Sequence, residues 1–350
     1  MTKLGSRLVL LPAFLALVAA TLATPASADA AQRPARLASR QVVFELVNQG
    51  DGLLRCRGDD RTYRVHGRLV GPRRDVLGRG GSTRINVLVH DVGTGGWFWN
   101  LRRHPRYDYA TQLARRGQTS LVLDRLGYDS SPLADGDDTC LDAQAAMLHQ
   151  VVQHLRSGRY DFTRGRVTTP HASQVVVHGH GVGATIAQVE AARYDDVHGL
   201  VLMSWAGDSP SAVAVEQARQ QSAVCARDGG YAAYGATVAD YRRLLFATAP
   251  RRVQESAVRQ RNATPCGDVA SLGPAILAAS ASARRVEVPV LVLSGSRDAR
   301  VSRSAAESAS AFRGSPWVTA RTIAGAGSAL PLERSAPRTR RLVLQWLRGL

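Results

Sequence analysis

His178-Gly179-His180-Gly181-Val182-Gly183-Ala184 is the stretch whose reading decides the fold. It follows Gln174-Val175-Val176-Val177, a β-branched run with the character of a central strand, and it leads into helix-forming residues over 184–192. Three alternating glycines between a strand and a helix make a tight turn, because glycine tolerates backbone angles that other residues avoid. Strand, turn and helix in that order form the repeating unit of an α/β protein.

The alternation continues outward from this unit. Residues 41–47 and 62–70 are β-rich and separated by a Gly/Asp-containing turn, which predicts an opening antiparallel pair. Residues 85–89 form a short buried strand, 107–116 a helix closed by Gly117, and 120–123 the next strand. Leu141, Ala145, Leu148, Val151, Val152 and Leu155 recur at helical spacing behind Asp137-Asp138-Thr139, good N-terminal chemistry for a helix over 141–155. Strands over 199–203, 290–293 and 317–323, a helix near 304–312 and an amphipathic helix over 338–347 complete the pattern. A mostly parallel sheet flanked by helices is the fold class this implies. From about 208 to 285 the alternation fails, and the alanine-rich segment reads as a helical insertion.

Composition narrows the setting. Lys3 and Arg7 precede an apolar stretch over 8–22 and small residues over 26–30, the layout of an export signal over 1–30. That apolar run is short against the ~20 residues a spanning helix needs, so the domain is expected over 31–350, without a membrane span and outside the cytoplasm. Cys56, Cys140, Cys225 and Cys266 are an even set, which in an exported chain favours two disulfides. His149 and His154 have finger-like spacing but no C-x-x-C accompanies them, so no metal and no cofactor is expected. The formal net charge is +17, yet Lys3 is the only lysine and the arginines are scattered in pairs such as Arg102-Arg103 and Arg251-Arg252. Dispersed charge without interleaved aromatics argues against a specific nucleic-acid partner. Oligomeric state leaves no mark in the sequence.

Five short segments, taken together, resemble the α/β-hydrolase family in order and spacing. His90-Asp91-Val92-Gly93 with Gly95-Gly96-Trp97-Phe98-Trp99 is similar to the H-G-x-G loop whose amides help form an oxyanion hole. Asp124 to Ser130 resembles the D-x-x-G-x-G-x-S turn, and Gly179 to Gly183 the G-x-S-x-G nucleophile elbow. Ser294-Gly295-Ser296-Arg297-Asp298 resembles the turn carrying the catalytic acid, and Gly325-Ala326-Gly327-Ser328 the turn carrying the histidine. The likeness covers roughly 41–350, and the layout resembles secreted actinobacterial hydrolases. It implies an α/β-hydrolase fold with a helical lid over about 208–285. It also implies Cys56 paired with Cys140, across neighbouring strands two and four, and Cys225 paired with Cys266 inside the insertion.

The departures set the functional expectation. Gly181 occupies the nucleophile position and Ser328 the histidine position, and His198 is the last histidine of the chain. Only Asp298 survives of the triad. Asp91 stands where the family has glycine, placing an anion where negative charge would develop. Loss of serine or histidine costs such enzymes on the order of 10⁶ in turnover. The resemblance therefore implies a pseudo-hydrolase holding a small apolar or ester-like ligand, or a protein partner, in a pocket near His90, Asp91, Val92, Trp97, Phe98, His180 and Val182. A second reading keeps an enzyme, with His90, Asp91 or His180 in acid-base roles; singly, His90 and His180 read as structural or packing residues. A third takes Gly179-x-Gly181-x-x-Ala184 as a dinucleotide fingerprint, but the acidic residue expected about 20 positions on is missing.

Overall fold

In the computed structural model of the chain, the described residues are 2, 5 and 36–350 except 51, 53–55, 57, 82, 166–167, 206 and 208. The expected export signal over 1–30 lies, but for residues 2 and 5, outside them. Among the described residues the strands are, in chain order, β1 Leu37–Val47, β2 Thr62–Pro72, β3 Thr83–Val89, β4 Thr119–Leu123, β5 Asp161–Phe162, β6 Ala172–His180, β7 Leu200–Met203, β8 Tyr231–Ala233, β9 Ala263–Pro265, β10 Val290–Gly295 and β11 Val318–Ile323. The helices are α1 Arg73–Val76, α2 Tyr109–Ala114, α3 Leu141–Ser157, α4 Val182–Tyr194, α5 Ala212–Asp228, α6 Val238–Leu245, α7 Arg251–Arg259, α8 Cys266–Ala270, α9 Leu272–Ser282, α10 Ala305–Ala309 and α11 Ala336–Leu347.

Nine strands make one sheet in the order β11-β10-β7-β6-β3-β4-β2-β1-β5. β3, β4, β6, β7, β10 and β11 are parallel, whereas β2 runs antiparallel to both β1 and β4. The opening antiparallel pair is thus in place. The central strands are buried on both faces, which is why 85–89 and 174–177 read as continuous apolar runs rather than alternating ones.

Helix α4 shows how tightly the centre is built. Almost all of its residues are buried, and a Cβ on Gly183 would overlap the Val89 and His90 carbonyls of the neighbouring strand end. Only glycine lets the helix start that close to the sheet.

Between β7 and β10 lie α5 to α9, the helical insertion. It also contains a two-stranded antiparallel sheet, β8 with β9. Three-residue strands carry too little periodicity to be read from sequence. Cys225 bonds Cys266 within this segment, and Cys56 bonds Cys140, joining the β1–β2 connection to the start of α3. Among the described residues no helix is long and apolar enough to cross a membrane.

Candidate functional site

At the carboxyl end of β6 the chain turns at Gly181, with φ +54° and ψ −118°, before entering α4. This positive-φ angle is strained for any residue with a side chain. A Cβ there would run into the Asp91 carboxylate, which fills the space directly above Gly181.

Asp91, two residues past the end of β3, has no exposed surface, and its carboxylate is fully engaged. Oδ1 accepts the Val182 amide at 2.8 Å and the Val92 amide at 2.9 Å. Oδ2 is paired with the Arg300 guanidinium. Burial by itself would raise the Asp91 carboxyl, but the Arg300 charge and the amide bonds outweigh it and hold the group below its ordinary range.

Arg300 organises the rest of the site. Its Nη1 also donates to the Tyr234 hydroxyl at 3.1 Å, and its Nη2 donates to Ser204 Oγ at 3.2 Å and to Ser328 Oγ. Ser204 donates to Asp298 Oδ2 at 2.5 Å and lies 2.7 Å from Ser328 Oγ, from which it accepts. Asp298, its carboxyl pushed up by burial, also accepts the Arg300 amide at 3.0 Å. A continuous chain of polar contacts therefore runs Asp298, Ser204, Ser328, Arg300, Asp91.

His180 packs beneath this chain. Its Nε2 lies 3.1 Å from the Ser328 carbonyl, 3.2 Å from Ser328 Oγ and 3.3 Å from Arg300 Nη2. Its ring stacks on Phe98 with centroids 4.3 Å apart. Burial lowers the imidazole to about 3, so it is neutral. His90 is equally buried, its Nδ1 against the Asp91 carbonyl and its Nε2 accepting the Arg125 amide at 3.2 Å. Burial again pushes that imidazole well below its usual range.

Gly181, Asp298, Ser328, Asp91, His180, Val92 and Val182 thus meet at one place. Trp97 does not join them. It lines a separate cleft of about 690 Å³ with Asp124, Asn262 and arginines from distant parts of the chain, among them Arg68, Arg102 and Arg259. Phe98 is the floor under His180 and packs edge-on against Trp99. Asp124, at that second cleft, is pushed up to about 6 by burial and by nearby Asp129.

Sequence reasoning did not find Arg300, Ser204 or Tyr234. A buried anion at Asp91 was the one signal that a cation must come to it, but nothing local says which arginine answers. Ser204 lies just past β7 with φ +52°, an unusual angle for a non-glycine residue and a mark of a constrained position.

A cavity of about 680 Å³, which Gly181 helps to line, opens between α5 and α9. Its walls include Val92, Val182, Ala214, Leu272 and Ile276, with Arg300 and Ser204 at the base. Gln217 and Gln221, one turn apart on α5, line it as well, and each has a buried amide nitrogen without a partner. Val215 and Leu277 stay exposed where they line it, Leu277 at 73%.

The profile of the alpha/beta hydrolase family matches residues 87–340. Among solved structures, the thermophilic esterase from Thermogutta terrifontis, malate bound, is 22% identical, aligns over 82% of this chain and 94% of that one, and has a TM-score of 0.58. The enol-lactonase from Burkholderia xenovorans LB400 is 18% identical over 82% of this chain and 97% of that one, with a TM-score of 0.60. The monoacylglycerol lipase of Paleococcus ferrophilus is 18% identical over 76% and 95%, with a TM-score of 0.55. At these identities the likeness is one of fold. None of the curated proteins matches the sequence.

Proposed function

The chain belongs to the alpha/beta hydrolase family, and from that premise we propose that it is an exported pseudo-hydrolase that holds a small apolar or ester-like ligand beneath a helical lid. The observation that carries this reading is the position of Asp91. In the family, the amide after the nucleophile and an amide from the loop after the third strand bind the developing oxyanion. Here those amides, Val182 and Val92, are occupied by a carboxylate of the chain itself. The nucleophile position is glycine, the histidine position is serine, and the place a side chain at 181 would take is filled by the Asp91 carboxylate.

Rebuilt acid-base chemistry draws no support from this arrangement. His90 and His180 are fully buried, and Asp91 is neutralised by Arg300. Dinucleotide binding is disfavoured for a related reason. The N-terminus of α4, where a pyrophosphate would sit, already has its anion in Asp91.

The cavity suits an apolar ligand carrying an acceptor oxygen. Volumes of this size are ordinary for small-molecule pockets, and two unpartnered glutamine amides on an apolar wall are specificity elements rather than bulk polarity. The helices between β7 and β10 act as the lid. Two disulfides fit an oxidising compartment, which supports export.

Two measurements test the reading. The protein is expected to resist labelling by a fluorophosphonate probe and to leave short nitrophenyl esters intact; labelling at a single serine refutes it. A pyrene-labelled fatty acyl ester is expected to bind unhydrolysed, and Ala214→Trp, which fills the cavity, is expected to abolish that binding. If the variant folds and binds the ester as well as the parent does, the cavity is not the ligand site.

A further inference from the structure

At the far end of α4 a second group of titratable side chains is buried without the partners that Asp91 enjoys. Glu190 has no exposed surface, and neither of its carboxylate oxygens has a hydrogen-bond partner. Asp195 ends the helix in the left-handed region, φ +47°, and the reversal brings Asp196 back toward Glu190. His149, on α3, closes the third side. One donor atom from each of the three lies within 4.8 Å of the other two.

The atoms converge without satisfying one another. His149 Nδ1 is 2.8 Å from Asp196 Oδ2, yet the ring does not direct a hydrogen bond along that line, and Nδ1 stays unpartnered. Asp196 Oδ1 is unpartnered too. Neighbouring groups hold the cluster rather than complete it. Gln153, one turn beyond His149, donates to Asp196 Oδ2 at 2.7 Å, and Tyr194 stacks on the His149 ring at 3.8 Å. Arg156 spends a nitrogen on the Asp196 carbonyl instead of its carboxylate.

We propose that His149, Glu190 and Asp196 form a binding site for a divalent transition-metal ion of the zinc type. One imidazole nitrogen and two carboxylates are a donor set such ions accept, whereas calcium or magnesium would call for more oxygens than are gathered here. Two ionised carboxylates balance a double positive charge. Three protein ligands leave a fourth position for water, and His149, 28% exposed in its side chain, opens the site to solvent. Gln153 on the aspartate and Tyr194 against the imidazole are the supporting contacts that orient metal ligands. A lone proton shared between Glu190 and Asp196 is the competing occupant.

Chelator-treated protein is titrated with Zn²⁺ by calorimetry and with Co²⁺ by visible absorption. One ion per chain is expected, with a raised melting temperature and the intense visible bands of four-coordinate cobalt. Glu190→Gln keeps the shape and can still donate a hydrogen bond to Asp196, so it preserves the proton-shared arrangement while removing a ligand. His149→Gln alters the partly exposed rim and decides the matter if the buried variant does not fold. Each is expected to weaken Zn²⁺ by at least about tenfold and to abolish the cobalt bands. Absence of Zn²⁺ binding in the parent overturns the proposal, as does unchanged affinity in a folded His149→Gln or Glu190→Gln variant, which would place the ion on surface histidines.

Discussion

The two ends of α4 each bury a carboxylate cluster, and they treat it in opposite ways. At the amino end Asp91 is met by two backbone amides and a guanidinium, so both of its oxygens are satisfied within the chain. At the carboxyl end, roughly 12 Å along the helix by its rise per residue, Glu190 has no donor at all and Asp196 has one free oxygen. A buried charge must be paired, neutralised or coordinated. The first cluster supplies its own counter-ion and lies on the Val182 and Val92 amides, while the second leaves both Glu190 oxygens without a partner. What separates them is not the number of acids but where the neighbouring arginine is spent, Arg300 on the Asp91 carboxylate and Arg156 on the Asp196 backbone carbonyl.

The largest expected effect breaks the satisfied end. Arg300→Met leaves the Asp91 carboxylate buried and unpaired, and about 3–5 kcal/mol of stability is expected to be lost in urea unfolding. Asp91→Asn combined with Arg300→Met should recover much of this, because the pair is coupled. An Arg300→Met protein as stable as the parent would mean the pair is not the organising contact.

Next comes reconstruction of the site that the pair closes. Gly181→Ser alone puts a Cβ into the Asp91 carboxylate, so Asp91→Gly must accompany it. Ser328→His then needs the room that the Arg300 guanidinium occupies. The triple variant with Arg300 retained should stay inert, whereas adding Arg300→Ala should give fluorophosphonate labelling and a rise of ~10²-fold in nitrophenyl ester turnover, the scale a positioned base supplies. A quadruple variant that folds but neither reacts nor hydrolyses would discredit Gly181 and Ser328 as the old nucleophile and base positions.

The smallest effect sharpens the contrast through pH, in metal-free protein. Burial, together with the adjoining Asp196, raises Glu190 well above its usual value. Its contribution to stability is therefore present below the unfolded value of about 4.5 and lost as pH rises through the folded value. Glu190→Gln removes that loss and should be more stable than the parent at pH 9, by on the order of 1–3 kcal/mol, with the advantage vanishing near pH 4. Asp91 behaves in the opposite sense. Its lowered carboxyl gives stability that is present above about 3.8 and lost as pH falls through the folded value. Thermal melts of parent and variant across this range that run parallel would show that Glu190 does not titrate differently in the folded state.

Much of the architecture was legible because it rests on local patterns. The apolar runs at 85–89 and 174–177 needed only their composition to read as central strands, and the glycines of 179–183 needed only their neighbours to read as a strand-to-helix turn. Trp97 follows the oxyanion-like loop in sequence, and a single turn over Gly96–Phe98 sets it along the second cleft. The arginine pairs looked dispersed because sequence distance hides which of them share a surface.

The sequence by itself determined the strand-turn-helix framework, the glycine at 181 and the serine at 328 within their motif-like turns, and the presence of an unexplained acid at Asp91, since each is a property of residues a few positions apart. Only the tertiary structure decided that Asp91 lies on the Val182 and Val92 amides, that Arg300, 209 positions away, neutralises it, and that Glu190 is left without a donor. Pairing of buried charge depends on which side chains the packed helices and loops bring within a few ångströms, and that distance is not encoded in any one stretch of the chain.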